Sequence, residues 1–230
     1  MKKLPLPKAV LFDLDGTLLD NTQLIIEAYY TGMVILGYEP KNREFIRSLL
    51  GRTTFIIGEG LGLKDEDLSK LDAHFWEYFG KYAMDETYFP KVYPGVKDIL
   101  KLFYRNSIPI GICTSNKATF TKSLIKKVKL DQYVSIYIGE EDVKEKKPSP
   151  EPLLLGLERL GLKKSKLKDE KFWYIGDSIP DIEAGHNAGF LVFGVPEKDK
   201  YDSVKEKKPD FLFENMLELY NFVLNDMNVN

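Results

Sequence analysis

The sequence predicts an α/β protein with a parallel sheet core that is interrupted by an inserted helical block. Short apolar runs without strict polar alternation recur along the chain, which is typical of strands buried on both faces. Helical patterns separate these runs, as right-handed crossovers between parallel strands require. The region after the first run contains only helical patterns and is roughly 70 residues long, far longer than an ordinary crossover of about a dozen residues.

Six apolar runs are the candidate strands. They are short, rich in β-branched or aromatic residues, and bounded by turn residues. The runs are Ala9 to Leu14, Ile108 to Cys113, Tyr133 to Ile138, Phe172 to Ile175, Phe190 to Val195 and Phe211 to Phe213. Helical spacing of apolar residues follows several of them, for example at Val96, Ile99, Leu100 and Phe103 and at Met216, Leu217, Tyr220 and Leu224.

The insertion defines the predicted domains. We expect a discontinuous core of residues 1–17 and 90–230, with a helical domain of residues 18–89 in which no convincing strand is found. The clearest helix there carries an apolar face made of Leu68, Leu71, Phe75, Tyr78 or Phe79, and Tyr82. A single domain with a long helical crossover is the alternative.

Composition and charge exclude several classes of function. The net charge of −2 gives no general attraction to nucleic acid or to anionic membranes. One cysteine cannot form an internal disulfide, and no apolar run approaches the roughly 18 residues of a membrane helix. We therefore expect a cytoplasmic protein, either a monomer or a homodimer, that binds neither nucleic acid nor membrane.

Acidic residues follow two of the predicted strands. Asp13 and Asp15 end the first run, and Asp177 ends the fourth, with Asp181 in the first turn of the next helix. Ligands of open α/β sheets bind beyond the carboxyl ends of the strands, and carboxylates can act as nucleophiles or as ligands of Mg²⁺. An ordinary strand-ending turn explains Asp13-Leu14-Asp15-Gly16 equally well when it is taken alone.

Two further segments complete the pattern. Thr114-Ser115-Asn116 follows the second run, where a hydroxyl and adjoining N–H groups can hold a phosphate oxygen, although helix capping is the simpler reading. Lys147, in Lys147-Pro148-Ser149-Pro150, can neutralise phosphate charge or be an ordinary solvated lysine. Acids, a hydroxyl and a lysine at four strand ends together suit magnesium-assisted phosphoryl transfer.

These four motifs, in this order, resemble those of the haloacid dehalogenase-like hydrolase superfamily. Tyr93-Pro94-Gly95-Val96 and Asp181-Ile182-Glu183-Ala184-Gly185 are similar to its phosphoglycolate phosphatase-like branch. The resemblance covers essentially the whole chain. It implies a Rossmann-like parallel sheet core with an inserted α-helical cap, and a magnesium-dependent phosphatase that acts on a small phosphorylated metabolite through an aspartyl phosphate.

The resemblance also implies the role of each site residue. Asp13 would be the nucleophile, Asp15 the general acid and base, and Thr114 and Lys147 would hold the transferring phosphoryl group. Mg²⁺ would bind Asp13, the backbone carbonyl of Asp15 and Asp177, with Asp181 supporting these ligands directly or through water. The substrate contacts would come from Ser115, Asn116 and Arg52, of which Arg52 is more simply a solvated side chain.

Two alternatives remain open at this stage. Related β-phosphoglucomutases carry a histidine early in the first cap helix, and the stretch from Asn21 to Tyr30 has none, which argues against a phosphomutase without excluding it. A non-catalytic phosphate-binding module does not need two mutually repelling acids at Asp13 and Asp15. The presence of Asp15 also argues against dehalogenase activity.

Overall fold

The computed structural model describes residues 4, 6–50, 52–83, 90–164 and 171–226 of the chain. Its internal contacts separate two compact units, one of Met1–Leu19 and Val92–Asn230 and the other of Asp20–Lys91. These divisions lie two residues from those expected from the sequence. The assignment of the units as a catalytic core and a cap stays a prediction, and residues 84–89 at the predicted boundary lie outside the described residues.

The described part of the chain contains eight short strands. In chain order they are β1 (Ala9–Phe12), β2 (Leu19–Asp20), β3 (Lys91–Val92), β4 (Ile110–Cys113), β5 (Ile136–Ile138), β6 (Phe172–Gly176), β7 (Leu191–Gly194) and β8 (Phe211–Leu212). Six of them form one sheet in the order β5-β4-β1-β6-β7-β8, with parallel pairing throughout. The predicted parallel α/β sheet is therefore confirmed, and each of its strands overlaps a predicted run.

Ten helices connect these strands in the described part of the chain. They are α1 (Thr22–Ile35), α2 (Arg43–Leu49), α3 (Thr54–Gly60), α4 (Glu66–Tyr82), α5 (Val96–Arg105), α6 (Ala118–Lys127), α7 (Glu151–Arg159), α8 (Ile179–Ala188), α9 (Tyr201–Glu206) and α10 (Met216–Asp226). Among these described helices, none combines the length and the apolar character that a membrane span requires.

Both faces of the six-stranded sheet are buried, which explains the continuous apolar runs. One face carries Leu11 and Phe172 and packs against Leu153 and Leu157 of α7 and Ala184 of α8. On the other face an aromatic row runs across the sheet and continues into α5. Its ring centroids are 6.3 Å apart for Phe12 and Phe103, 6.0 Å for Phe103 and Trp173, and 4.7 Å for Trp173 and Phe193. Burial on both faces fixes the register of the central strands.

The smaller unit contains α1 to α4, and its core is an aromatic stripe on α4. Leu71, Phe75 and Phe79 of α4 are buried, as the helical spacing predicts. The Tyr29 ring of α1 stacks on Phe75 with their centroids 4.9 Å apart. Gly32 of α1 brings the two helices together, since an added Cβ would lie 2.6 Å from Leu71.

Two sequence expectations are corrected by the structure. The expectation of no strand in residues 18–89 is wrong at β2, which pairs with β3; two residues are too few to give a detectable period. The predicted strand from Tyr133 begins only at Ile136, because Asp131–Tyr133 forms a single 3-10 turn.

Candidate active site

The carboxyl ends of the central strands bring the sequence motifs to one edge of the sheet. Ladder hydrogen bonds continue one residue beyond the strands: Asp13 N donates to Ile175 O at 2.9 Å, and Thr114 N donates to Ile138 O at 3.0 Å. Because all these strands are parallel, the residues after β1, β4 and β6 share that edge. The predicted site residues of this unit therefore lie in one region.

Three carboxylates form the centre of the site. Oxygens from Asp13, Asp177 and Asp181 all lie within 4.8 Å of one another. Their residues are 6%, 1% and 1% exposed, respectively. Three buried acids at this separation repel one another, so the site requires positive charge to remain ionised.

Lys147 supplies part of that charge. Its Nζ lies 2.6 Å from Asp13 Oδ1 and 2.7 Å from Asp181 Oδ1, and its side chain is only 5% exposed. Lys147 precedes α7 in the chain, as its motif predicts. Lys147 is thus a buried ammonium group shared by two carboxylates, and the alternative of a solvated lysine is excluded.

Both carboxylate oxygens of Asp181 accept hydrogen bonds from protein groups. Tyr174 Oη donates to Asp181 Oδ1 at 2.9 Å, and Ser178 N donates to Asp181 Oδ2 at 3.0 Å. The Ser178 hydroxyl donates to the same oxygen. Asp181 therefore also caps the start of α8, which is the role that its position in the first helical turn indicates. This arrangement suits a residue that supports the other ligands.

Asp177 has two partners that the sequence did not assign. Thr17 Oγ1 donates to Asp177 Oδ1 at 3.0 Å, and Lys200 Nζ lies 2.9 Å from Asp177 Oδ2. Thr17 is 1% exposed, whereas the side chain of Lys200 is 21% exposed. Lys200 lies between β7 and α9, so it reaches the site from the strand next to β6.

Asp15 and Asn116 join the first and second motifs. Asn116 Nδ2 donates to Asp15 Oδ2, and Asn116 N donates to Thr114 Oγ1 at 3.1 Å. Thr114 and Asn116 are 6% exposed, while Asp15 and Ser115 are half-buried. The Thr114 hydroxyl therefore closes the local turn after β4, and the structure brings both segments to the acidic cluster's edge.

Burial and charge shift the titration of these groups in opposite directions. Desolvation raises the pKa of Asp13 well above its usual value against the effect of Lys147, and Asp181 and Asp177 raise it further. Burial also raises the pKa of Asp177. For Asp181, burial is outweighed by Lys147 and by the hydrogen bonds of Ser178 and Tyr174, which lower its pKa. Negative charge is thus most costly at Asp13 and Asp177.

The donor set fits a divalent cation. The carboxylate oxygens of Asp13 and Asp177 are hard ligands of the kind that Mg²⁺ prefers, and Asp181 lies beside them. A cation of charge two would offset the repulsion among these acids and between them and an approaching phosphate. The predicted metal ligands Asp13, Asp177 and Asp181 are therefore placed together, and Asp15 follows Asp13 by two residues.

Arg52 is the one predicted site residue that belongs to the smaller unit. It is exposed and lies between α2 and α3. Its role as a substrate contact stays a prediction.

Sequence reasoning missed Tyr174 and Lys200. Tyr174 occupies a buried position of β6 and is indistinguishable in sequence from core aromatics. Lys200 could have been suspected because it follows the carboxyl end of β7, but Lys198 shares that property and is exposed.

Gly16 is required by both the backbone and the site. Its φ is +86°, and an added Cβ would lie 2.4 Å from Asp177 Oδ2. Gly37 has a similar φ of +79° and nothing within 4 Å of an added Cβ. Alanine variants at Gly37 and Gly16 therefore separate the cost of backbone strain alone from the added cost of displacing Asp177.

We expect Gly37→Ala to lower the free energy of unfolding by about 1–2 kcal/mol through backbone strain alone. Gly16→Ala should cost about 1–3 kcal/mol more, because the methyl group must displace Asp177. It should also lower kcat by about 10²-fold once the activity is assayed. Urea unfolding and steady-state kinetics measure both effects. Equal losses of unfolding free energy and of kcat in the two variants would contradict the role of Gly16 beside Asp177.

The chain is similar to known proteins over most of its length. The family model described as "Haloacid dehalogenase-like hydrolase" matches residues 10–195, a range that includes all four motifs. The "Putative pyrophosphatase PpaX" of Caldanaerobacter subterraneus subsp. tengcongensis is 33% identical over 222 residues, which are 94% of each protein. The phosphoglycolate phosphatase of Photorhabdus laumondii subsp. laumondii is 29% identical over 216 residues, which are 92% of this chain and 90% of the relative.

A solved structure is similar to this chain in its fold. The "Putative haloacid dehalogenase-like hydrolase" from Bacteroides fragilis matches with a TM-score of 0.82 and 25% identity. The match covers 93% of this chain and 99% of that one. The Rossmann-like architecture expected for the core is thereby confirmed.

Proposed function

The chain belongs to the haloacid dehalogenase-like hydrolase family, and from that premise we propose that it is a phosphatase that hydrolyses a small phosphorylated metabolite through an aspartyl phosphate on Asp13. The observation that carries the proposal is the Asp13 carboxylate, which lies within 4.8 Å of two other buried carboxylates and 2.6 Å from the Lys147 ammonium group. The family prediction made from the four motifs is confirmed, and so is the prediction of an enzyme.

Asp13 is the proposed nucleophile. One of its oxygens attacks phosphorus, and the bond between phosphorus and the leaving oxygen breaks. The position at the end of a buried strand fixes the carboxylate, and the hydrogen bond from Lys147 to Asp13 Oδ1 orients it.

Asp15 is the proposed general acid and base. It donates a proton to the leaving oxygen and then accepts one from the water that hydrolyses the aspartyl phosphate. Its half-buried position leaves it closer to solvent than Asp13, and Asn116 Nδ2 orients its carboxyl group. Thr114 and Lys147 hold the transferring phosphoryl oxygens, with Ser115 and Asn116 beside them.

Mg²⁺ is the proposed cofactor. When bound, it would neutralise charge on the phosphoryl oxygens and act as a Lewis acid. Asp13, Asp177 and the backbone carbonyl of Asp15 would hold it, with Asp181 in support. The buried carboxylates of Asp13, Asp177 and Asp181 exceed the two ammonium groups of Lys147 and Lys200 that contact them, so the described site has room for further positive charge.

Phosphoglycolate is the leading substrate by resemblance, and pyrophosphate is the second candidate because the PpaX relative shares 33% identity over nearly the whole chain. Both compounds carry a second anionic group beyond the phosphoryl group that would be transferred. Phosphate release from each member of a panel of phosphorylated metabolites ranks these candidate substrates. Isomerisation of a sugar phosphate without phosphate release would favour a phosphomutase. No hydrolysis of pyrophosphate or of any phosphate ester with Mg²⁺ would favour a non-catalytic binding module.

Removal of the cation is expected to abolish hydrolysis. Treatment with EDTA should lower kcat by at least about 10²-fold, because the charge that it removes stabilises the transferring phosphoryl group. Mg²⁺ added in excess should restore the activity, which a phosphate-release assay follows. Full activity after EDTA treatment and dialysis would contradict the proposed cofactor.

The cytoplasmic location expected from the single cysteine stays a prediction.

A further inference from the structure

Both oxygens of Asp177 already have partners, and one of these partners is an ammonium group that contacts no other carboxylate among the described residues. Thr17 Oγ1 donates to Oδ1, and the Lys200 ammonium group contacts Oδ2 at 2.9 Å. A divalent cation that binds through Asp177 therefore shares this carboxylate with a side chain of positive charge. The residue is 1% exposed, so bulk water does little to screen that charge.

Lys200 is held less firmly than Lys147. The Lys147 side chain is 5% exposed and contacts two carboxylates, whereas the Lys200 side chain is 21% exposed and contacts one. Lys200 also lies in the short connection between β7 and α9 and not on a strand end. The flexible four-carbon stem of Lys200 can turn its ammonium group toward solvent when another cation compensates Asp177.

A lysine side chain carries a positive charge at neutral pH. The Lys200 ammonium group, 2.9 Å from Asp177 Oδ2, is therefore an ionic partner of that carboxylate.

We infer that Lys200 is an exchangeable internal counter-charge of Asp177 that weakens the binding of the divalent cation. The inference rests on the proposed function, because it concerns the cation that the phosphatase would use. Lys200 compensates Asp177 until the cation arrives, and the cation must displace or repel the ammonium group. Lys200 is thus a positioning residue for Asp177, and its charge sets the cation concentration that the enzyme needs.

The test compares Mg²⁺ binding by calorimetry in the wild-type protein and in Lys200→Met, which keeps the length of the side chain and removes its charge. The dissociation constant should fall by at least about fivefold in Lys200→Met. Lys200→Arg retains the charge and should bind Mg²⁺ within about twofold of wild type. Lys207→Met is the matched control, because Lys207 pairs with Glu183 at 2.7 Å on the exposed surface.

Thermal unfolding provides a second readout that does not depend on activity. Without Mg²⁺, Lys200→Met should melt below wild type, because Asp177 loses its counter-charge; saturating Mg²⁺ should stabilise the variant more than it stabilises wild type. Lys200→Gln replaces Lys200→Met if the latter does not melt cooperatively. Equal or weaker Mg²⁺ binding in the uncharged variants overturns the inference while leaving the phosphatase proposal intact. No Mg²⁺ binding by any variant overturns both the inference and the proposed cofactor.

Discussion

Asp13→Asn is expected to lower kcat by at least about 10³-fold, because an amide cannot form the phosphorylated intermediate. The substitution keeps the shape of the side chain at a buried strand end. It also removes one of three mutually repelling charges, so the folded protein should not lose stability through repulsion. Phosphate release measured with the best substrate of the panel gives the result.

Asp98→Asn is the matched control for this substitution. Asp98 is exposed in the first turn of α5 and lies outside the acidic cluster. Its variant should retain wild-type kcat, and urea unfolding should show that both variants fold. An Asp13→Asn protein that is folded and turns over at the wild-type rate would disprove the nucleophile.

Lys147→Met is expected to damage both activity and folding. The ammonium group compensates Asp13 and Asp181 at 2.6 Å and 2.7 Å, and its loss leaves two buried carboxylates without that partner. Removal of one partner from a buried ion pair costs about 3–5 kcal/mol, which urea unfolding in EDTA should detect. Activity should fall by at least about 10²-fold, because the phosphoryl group also loses its positive contact.

The neighbouring Lys146 provides the control. It forms a pair with Glu140 at 2.6 Å, but its side chain is 33% exposed. Lys146→Met should therefore cost about 1 kcal/mol or less and leave kcat unchanged. Similar losses of stability in the two variants would show that the burial of Lys147 does not have the effect assigned to it.

Cys113 is a second possible nucleophile near the site, and its environment argues against that role. The residue is buried in the same core cluster as Leu11 and Leu153. Burial raises the pKa of its thiol to about 12, so the reactive thiolate is scarce at neutral pH. The carboxylate of Asp13 remains the group that fits covalent attack.

The sheet and the four motifs could be predicted because local sequence determines them. An apolar run such as Phe172 to Ile175 can be buried on both faces only as a central strand, and the acid that follows it must lie at the carboxyl edge. Asp13 and Asp177 can therefore be placed at this edge from the sequence alone.

The other details depend on tertiary contacts that no local pattern carries. Tyr174 resembles a core residue in sequence, yet its hydroxyl group donates a hydrogen bond to Asp181 in the first turn of α8. Lys198 and Lys200 are equivalent in sequence, and only the course of the chain after β7 directs one of them to Asp177. The two-residue strand β2 has no pattern of its own and exists through pairing with β3.

The central claim is that Asp13 carries the phosphoryl group during turnover. Its most direct test is rapid quenching of the enzyme with substrate and Mg²⁺, followed by borohydride reduction and peptide mass spectrometry. Borohydride reduces an acyl phosphate of aspartate to the alcohol, so the account predicts homoserine at position 13, dependent on substrate and absent from Asp13→Asn. Homoserine at Asp15 or Asp177 instead, or none at any position in an enzyme that turns over, would contradict it.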